Sequence, residues 1–121
     1  MQNKPNDHRL WHALIYSFDG LRASWREESA FRKMVLLLVL LAPVAFVIPL
    51  TTLERILLIV PLGMGLQIEL LNSAIENAVD LATQDIHPLA KKAKDMGSAA
   101  QLINLILLAV IWLLVLGSNI A

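Results

Sequence analysis

Two long stretches without a single charged side chain constrain this chain more than any other feature. Residues 34–53 and 96–121 contain no Asp, Glu, Lys or Arg. As helices, both are long enough to cross a hydrocarbon core of about 30 Å. Inside a bilayer one segment can satisfy its backbone hydrogen bonds by itself only as a helix. Each stretch therefore predicts a transmembrane helix.

A third transmembrane helix is predicted between these two. The mostly apolar residues 56–68 continue into a segment with polar residues at helical spacing. Thr51 and Glu54 have the spacing of a capping box, so we expect this helix to begin at Thr51. Over residues 51–82 it would be roughly 45 to 50 Å long, which is more than the bilayer core requires. Its last turns should project beyond the hydrocarbon.

The flanking helices follow from proline positions and from the charge-free stretches. Pro43 predicts a bend in the first transmembrane helix, placed at 31–50, and Pro49 predicts its end. Pro88 suits the first turn of a helix, so the last helix should start there and cross the membrane at 96–118. The cytoplasmic segment between the second and third spans is then 83–95. We expect one all-α polytopic membrane domain.

Residues 7–30 predict an amphipathic helix that lies on the membrane surface. Asn6 or Asp7 can cap its start, and Gly20 can divide it into two pieces. Apolar side chains recur at helical spacing and are opposed by Asp19 and two arginines. These apolar residues are Leu10, Trp11, Leu14, Ile15, Phe18, Leu21 and Trp25. The pattern alone fits a simple membrane anchor as well as part of a site.

Composition excludes several classes of protein. The 121 residues carry no net charge and no cysteine, and 57% of them are hydrophobic, with a mean hydropathy of +0.63. We therefore expect no disulfide, no thiolate metal site and no nucleic-acid partner. The first 33 residues lack the short apolar core of a signal peptide, so we expect none.

The basic residues predict the orientation in the membrane. Of the ten Lys and Arg residues, all but Arg55 lie before residue 34, at or before the start of the first span, or in the 83–95 segment. The positive-inside rule then places the N-terminus in the cytoplasm and the C-terminus outside.

A stripe of carboxylates is the first candidate site. Glu69, Glu76 and Asp80 lie within about 40° of one another on a helix, and Asn72 and Ser73 flank them. An ionisable side chain in a membrane span costs about 2.5 kcal/mol or more, which indicates function. Glu69, the least accessible to water, suits a general base or acid, whereas Glu76 suits magnesium, with Glu27 or Glu28 as a second ligand. Alternatively, the amide and hydroxyl join helices and the outer carboxylates are merely solvated.

The second candidate site is the segment before the last span. Lys94 could neutralise a phosphate, and Asp95 could bind a ribose, a metal or Lys91. A Lys-Asp pair there also fits an interface anchor, and His87 beside proline also fits an ordinary loop residue. Neither a phosphate-binding glycine loop nor a protein-kinase motif occurs in the sequence, so any nucleotide site must be of another kind.

Together these stretches resemble the bacterial integral-membrane diacylglycerol kinases. The resemblance rests on the motif of residues 69–80, with Glu69, Glu76 and Asp80, and on the motif Ala93-Lys-Asp-Met-Gly-Ser-Ala-Ala of residues 93–100. It extends over essentially the whole chain, including Gly20-Leu-Arg-Ala and Ala30-Phe-Arg. His12 and Asp85 depart from the residues common in the family, as does the segment 47–52.

The resemblance implies a homotrimer of the bacterial inner membrane with sites shared between subunits. It also implies transfer of the γ-phosphoryl group of MgATP to diacylglycerol, giving phosphatidic acid. Glu69 would be the catalytic base, Glu28 and Glu76 the magnesium ligands, and Asn72 and Asp80 supporting residues. The implied nucleotide-binding residues are Arg9, Tyr16, Glu28, Glu76, Asp85, His87, Lys94 and Asp95. The implied lipid-binding residues are Arg9, Ser17, Arg22, Ala23, Trp25, Ala30, Phe31, Arg32, Arg55, Glu69, Ser98 and Trp112.

Two other functions are alternatives to a diacylglycerol kinase. An undecaprenol kinase would have the same architecture with a polyprenol acceptor, and the pattern does not distinguish the two acceptors. A small ion channel or transporter would need a polar face across the whole bilayer. Residues 56–66 are apolar, so the carboxylate stripe stops halfway, which argues against a channel or transporter.

Overall fold

The computed structural model describes residues 9–120, and this part of the chain forms four helices. They are α1 (Arg9–Glu27), α2 (Ser29–Val47), α3 (Thr52–Ala82) and α4 (Pro88–Ile120). Three of them, α2, α3 and α4, are long and apolar enough to cross a membrane. The predicted all-α class with three spans is thus confirmed. The trimer and the surface position of α1 stay predictions, and the predicted cap at Asn6 or Asp7 lies outside the described residues.

The boundary between the first two helices differs from the prediction. Helix α1 continues through Gly20, where the sequence allowed a break, and ends at Glu27 rather than at residue 30. The break falls at Glu28, whose backbone is extended with φ −114° and ψ 107°. Helix α2 begins at the next residue, Ser29. An extended residue between two helices changes the chain direction, so α1 and α2 form an elbow at Glu28.

The side chain of Arg32 closes this elbow. Its Nη1 donates hydrogen bonds to the carbonyl oxygens of Trp25 and Arg26, at 2.8 and 3.2 Å. The last carbonyls of a helix have no partner within the helix, and an arginine is well suited to satisfy them. Arg32 therefore anchors the end of α1 to the first turn of α2.

The opposite connection, between α2 and α3, is also held by side chains. The predicted capping box is present, because Thr51 Oγ1 accepts from the Glu54 amide at 3.2 Å and Glu54 Oε1 accepts from the Thr51 amide at 3.0 Å. Arg55 donates to the carbonyls of Ala45, Ile48 and Leu50 at the end of α2. These bonds close the turn that reverses the chain direction.

Helices α3 and α4 pack antiparallel and supply most of the tertiary contacts, followed by α2 against α3. Three buried side chains of α4 donate to backbone carbonyls on one face of α3. The pairs are Gln101 to Gly65 at 2.9 Å, Asn104 to Pro61 at 3.1 Å and Trp112 to Leu58 at 3.0 Å. In a membrane such interhelical bonds contribute about 0.6 kcal/mol each. They fix the register of the two helices along their length.

The apolar core lies beside these bonds, between α2, α3 and α4. Ala45, Leu58 and Leu62 are completely buried there, and Met34 and Leu108 pack around them. Many other apolar side chains of the three spans are exposed, as expected of surfaces that face lipid or another subunit. Helix α4 starts at Pro88, so its first two turns belong to the segment 83–95, which we predicted to be cytoplasmic.

Candidate functional site

Three elements meet around a cavity of about 450 Å³ that we call the carboxylate cleft. The α1–α2 elbow contributes Glu28 to it, and α3 contributes Glu69 and Glu76. The complete lining is Glu28, Ser29, Ala30, Glu69, Asn72, Ser73, Glu76, Ser98, Gln101, Leu102 and Leu105. The structure thus brings the three predicted catalytic and metal-binding carboxylates to one cavity, together with Ala30, Asn72 and Ser98.

Glu69 is the buried member of the three carboxylates. Only 8% of its surface is exposed, and its Oε1 accepts a hydrogen bond of 2.9 Å from Gln101 Nε2. Glu76, two turns further along α3, is partly exposed, and Glu28 at the elbow is partly exposed as well. One buried and two partly exposed carboxylates can have different roles. The buried Glu69 is suited to accept a proton, and the partly exposed Glu28 and Glu76 are suited to hold a cation.

Asn72 lies between Glu69 and Glu76 on α3 and is held against α4. It is 9% exposed, and its Oδ1 has no hydrogen-bond partner among the described residues. A Cβ added at Gly97 would lie only 2.1 Å from this oxygen. The two helices can therefore approach this closely because position 97 has no side chain.

A second cavity, of about 320 Å³, lies where α3 ends and α4 begins, and we call it the junction cleft. Four of the predicted nucleotide-binding residues line it, together with the predicted supporting residue Asp80. These four are Asp85, His87, Lys94 and Asp95. Asp80 follows Glu76 by four residues, so these two lining residues, one from each cleft, are about 6 Å apart along α3.

Ion pairs organise the junction cleft. Lys94 Nζ lies 2.7 Å from Asp80 Oδ1 and so connects α4 to α3. Lys91 Nζ lies 2.6 Å from Asp95 Oδ2, which is one of the partners that the sequence allowed for Asp95. Both pairs are solvent-exposed, and exposed pairs stabilise a fold by about 0.2 to 1 kcal/mol only. They are therefore weak enough to be exchanged for contacts with a phosphate.

The other two predicted residues of the junction cleft hold its backbone. His87 Nδ1 accepts a hydrogen bond of 3.1 Å from the Leu89 amide, in the first turn of α4. This bond caps the start of α4 and leaves Nε2 as the ring nitrogen without a hydrogen bond among the described residues. Asp85 takes part through its backbone, because its amide donates to Thr83 Oγ1 at 3.1 Å.

The predicted binding residues of α1 line neither of these clefts. The set comprises Arg9, Tyr16, Ser17, Arg22, Ala23 and Trp25. Ser17 Oγ donates to the Ala13 carbonyl at 2.8 Å, and the Tyr16 and His12 rings meet edge to face with centroids 6.2 Å apart. Arg22 lies 3.7 Å from Asp19 on the same helix. Within one chain, α1 does not bring these side chains to the carboxylates.

Four further predicted lipid-binding residues have structural partners in the chain. Phe31 is buried, with 4% of its surface exposed, and Arg32 binds the end of α1. Trp112 is 8% exposed and donates to Leu58, about 20 Å along α4 from Ser98. Arg55 closes the far end of α2. The structure therefore separates Trp112 and Arg55 from the carboxylate cleft, and their predicted lipid contacts remain predictions.

The donor set of the carboxylate cleft fits a magnesium ion that is held jointly with phosphates. Among residues 9–120, no three His, Asp or Glu side chains form a cluster able to hold a metal by themselves. Glu28 and Glu76 line one cleft and supply only oxygen ligands. Mg²⁺ is commonly bound by one or two carboxylates, with substrate phosphates and water completing its coordination.

Comparison with known proteins identifies the family. The model of the prokaryotic diacylglycerol kinase family matches residues 15–116. The chain is 53% identical to a diacylglycerol kinase of Helicobacter pylori over 104 residues, which are 86% of this chain and 81% of the relative. It is 48% identical to that of Pseudomonas aeruginosa over 108 residues, covering 89% and 88% of the two chains. For Escherichia coli K12 the identity is 40% over 111 residues, covering 92% and 91%.

The chain belongs to the prokaryotic diacylglycerol kinase family. The resemblance inferred from residues 69–80 and 93–100 is thereby confirmed, and with it the prediction of an enzyme of the kinase class. Both motifs contribute to the two clefts. The three apolar helices and this membership make the chain a multi-pass membrane protein.

The sequence did not predict four residues that line the carboxylate cleft, Ser29, Gln101, Leu102 and Leu105, of which Gln101 is the one with a hydrogen bond to a carboxylate of the cleft. Gln101 is buried against Glu69, although no motif or charge pattern singled it out. A signal was available, because Gln101 and Asn104 are amides three residues apart in an otherwise apolar span. Polar amides at that spacing share a helix face and need partners inside a membrane.

Proposed function

We propose that this protein is a homotrimeric diacylglycerol kinase of the inner membrane. It transfers the γ-phosphoryl group of MgATP to the free hydroxyl of diacylglycerol and releases phosphatidic acid and ADP. The observation that carries the proposal is the convergence of Glu28, Glu69 and Glu76 on one cleft, with Glu69 buried. The family membership and the names of the relatives support the choice of acceptor.

The reaction belongs at the cytoplasmic boundary of the membrane. ATP is dissolved in the cytoplasm, whereas the hydroxyl of diacylglycerol lies at the lipid interface. Helix α3 has 31 residues and is about 46 Å long, so it extends beyond a core of about 30 Å. Glu69 lies 17 residues after the start of α3 at Thr52, roughly 25 Å along the helix. If α3 starts at the outer surface of the membrane, Glu69 lies near the inner edge of the hydrocarbon core.

The carboxylates of the carboxylate cleft have two different roles in the reaction, proton acceptance and metal binding. Glu69 accepts the proton of the lipid hydroxyl as that oxygen forms a bond to the γ-phosphorus. The bond from the γ-phosphorus to the oxygen bridging it to the β-phosphate then breaks, and ADP leaves with the electron pair. Glu28 and Glu76 would hold Mg²⁺, which neutralises phosphate charge when it is bound. Phosphoryl transfer depends mainly on such positioning and charge neutralisation.

The junction cleft is suited to the remainder of the nucleotide. Lys94 leaves Asp80 to neutralise a phosphate, and Asp95, freed from Lys91, accepts hydrogen bonds from the ribose. Asp85 and His87 Nε2 complete the cleft around the nucleoside. The rise of about 6 Å from Glu76 to Asp80 along α3 is of the order spanned by the two P–O–P links that join the α- and γ-phosphorus atoms of ATP. One nucleotide can thus reach from the junction cleft to the carboxylate cleft.

The predicted residues of α1 then act in a neighbouring subunit. Arg9 and Tyr16 line neither cleft of their own chain, yet the family resemblance implies that they bind nucleotide. A trimer with shared sites brings the α1 helix of one subunit to the clefts of the next. The N-terminus and the junction cleft are cytoplasmic in this arrangement, and the C-terminus is periplasmic.

Labelled ATP tests the proposed activity. Purified protein should transfer label to diacylglycerol, and undecaprenol assayed in parallel should accept much less. Glu69→Gln should lower kcat at least 10²-fold with little change in the KM for MgATP, because it removes an interaction made in the transition state. Glu76→Gln should lower activity by a similar factor, and added magnesium should partly restore it.

The controls separate chemistry from folding. Both variants should assemble and melt like the parent protein, since each change replaces a carboxylate by an amide of the same shape. A preference for undecaprenol would refute the proposed acceptor. Activity within threefold of the parent in Glu69→Gln would refute the assignment of the base.

A further inference from the structure

The carboxamide of Gln101 is the one polar group of α4 that makes a hydrogen bond to Glu69 within the described residues. Gln101 is 6% exposed and lies three residues after Ser98 on α4. Its Nε2 donates one hydrogen bond to Glu69 Oε1 and one to the Gly65 carbonyl, both at 2.9 Å. Gly65 and Glu69 are one helical turn apart, so the amide bridges backbone and carboxylate on the same face of α3.

These two acceptors determine the orientation of the amide. An exchange of its nitrogen and oxygen would set Gln101 Oε1 against a carbonyl and a carboxylate, neither of which can donate. The observed orientation leaves Gln101 Oε1 buried and without a partner among residues 9–120. An unpaired buried acceptor is unfavourable, and a leucine or methionine at this position would avoid it. The two hydrogen bonds of Nε2 to α3 stabilise the fold, whereas the buried, unpaired Oε1 opposes that gain, so stability alone is a weak reason for an amide here.

The contact also distinguishes the two oxygens of Glu69. Oε1 is occupied by Gln101, whereas Oε2 has no hydrogen bond within the part of the chain that the structure describes. The backbone bond to Gly65 keeps the amide from following the carboxylate if the latter rotates. Gln101 thus holds Glu69 by one oxygen and leaves the other available to the cleft.

We propose that Gln101 is a positioning residue that fixes the Glu69 carboxylate so that Oε2 receives the proton of the acceptor hydroxyl. The inference rests on the proposed role of Glu69 as the base. It predicts that Gln101 affects the chemical step and not the binding of either substrate. Correct orientation of a catalytic group contributes to the rate of the reaction without changing the number of contacts to substrate.

Asn104 supplies a matched control one turn further along α4. It is 4% exposed, and its Nδ2 donates to the Pro61 carbonyl at 3.1 Å, again on α3. It does not line the carboxylate cleft and makes no hydrogen bond to Glu69 among the described residues. Asn104→Leu and Gln101→Met each remove a buried amide that joins the same two helices, but only Gln101→Met frees Glu69.

The test compares kcat, both KM values and the melting temperature of trimers of these variants. Gln101→Met and Gln101→Leu should lower kcat about 10-fold with KM for MgATP and for diacylglycerol unchanged within twofold. Asn104→Leu should leave kcat within twofold of the parent. In a Glu69→Gln background, where single-turnover transfer of label is followed, Gln101→Met should cause no further loss.

Two results would overturn the positioning role of Gln101. One is a kcat that stays within twofold of the parent in both Gln101 variants, and the other is an equal loss of kcat with and without the Glu69 carboxylate. A failure of the proposed function is recognised separately, because Glu69→Gln alone would then retain activity or the protein would not phosphorylate diacylglycerol.

Discussion

Gly97→Ala tests the close approach of α4 to Asn72, which lines the carboxylate cleft. The new Cβ would lie 2.1 Å from Asn72 Oδ1 and 3.0 Å from Asn72 Cγ, where ordinary contacts begin at 3.4 Å. About 1.3 Å of extra separation from the oxygen is thus needed. Asn72 is buried and lines the carboxylate cleft, so one way to gain that separation is to turn its side chain towards Glu69 and Glu76.

Two opposing effects determine how much Gly97→Ala changes the stability of the protein. Overpacking of a buried contact costs about 1 to 3 kcal/mol. Replacing glycine by alanine inside a helix contributes about 1 kcal/mol in the other direction. We expect a net destabilisation of about 1 kcal/mol, seen as a fall in melting temperature of a few degrees. Activity should fall more sharply, by roughly 10-fold or more, because displacement of a site residue by about 1 Å can cost up to 10²-fold.

The assay measures kcat and melting temperature in detergent for three alanine variants. Gly63→Ala and Gly117→Ala are the controls, because nothing lies within 4 Å of a Cβ at either position. Both should keep activity within twofold and melt at the temperature of the parent protein or above it. The same chemical change therefore has opposite expected effects at position 97 and at the two control positions.

A double variant identifies the cause. Asn72→Ala removes both close atoms and leaves Asn72 Cβ at 3.7 Å from the new methyl group, an ordinary contact. In that background Gly97→Ala should no longer lower the melting temperature. An unchanged kcat in Gly97→Ala, or an equal loss of stability with and without the Asn72 side chain, would refute the reasoning.

Two further predictions concern topology and assembly. A reporter that is active only in the periplasm should be active when fused after Ala121, because the positive-inside rule places all basic residues but Arg55 on the cytoplasmic side. Activity of a cytoplasmic reporter there would refute three spans with the N-terminus inside. If sites are shared between subunits, mixing Glu28→Ala and Glu69→Ala chains should restore part of the activity that each variant lacks. Unmixed samples of each variant are the control, and no recovery in verified mixed trimers would place each site within one chain.

Local features of the fold could be predicted because they depend on neighbouring residues. The charge-free stretches required helices of membrane-spanning length, and the structure has them in α2 and α4. The capping box of Thr51 and Glu54 involves residues three apart, so its spacing could be recognised directly. The elbow at Glu28 could not, because apolar spacing continues on both sides of it. What marks it is the Arg32 side chain, which reaches back to Trp25 and Arg26.

One part of the candidate site could likewise be predicted from the sequence, and another part could not. Glu69, Glu76 and Asp80 share a face of one helix, and 3.6 residues per turn dictate that arrangement from their spacing. Their meeting with Glu28 depends on the angle between α1, α2 and α3. That angle results from packing between segments about 40 residues apart.

What the sequence alone determined is the spans, the carboxylate stripe and the two motifs of the family, since these follow from helical period and residue type. Only the tertiary structure decided which hydrogen-bond partners the polar side chains of α4 have on α3. It assigned Gln101 to Glu69, Asn104 to Pro61 and Trp112 to Leu58, across 32, 43 and 54 residues of chain. A side chain in a span must find a partner for its polar atoms, but its own helix does not specify which one. The antiparallel register of α3 and α4 makes that choice.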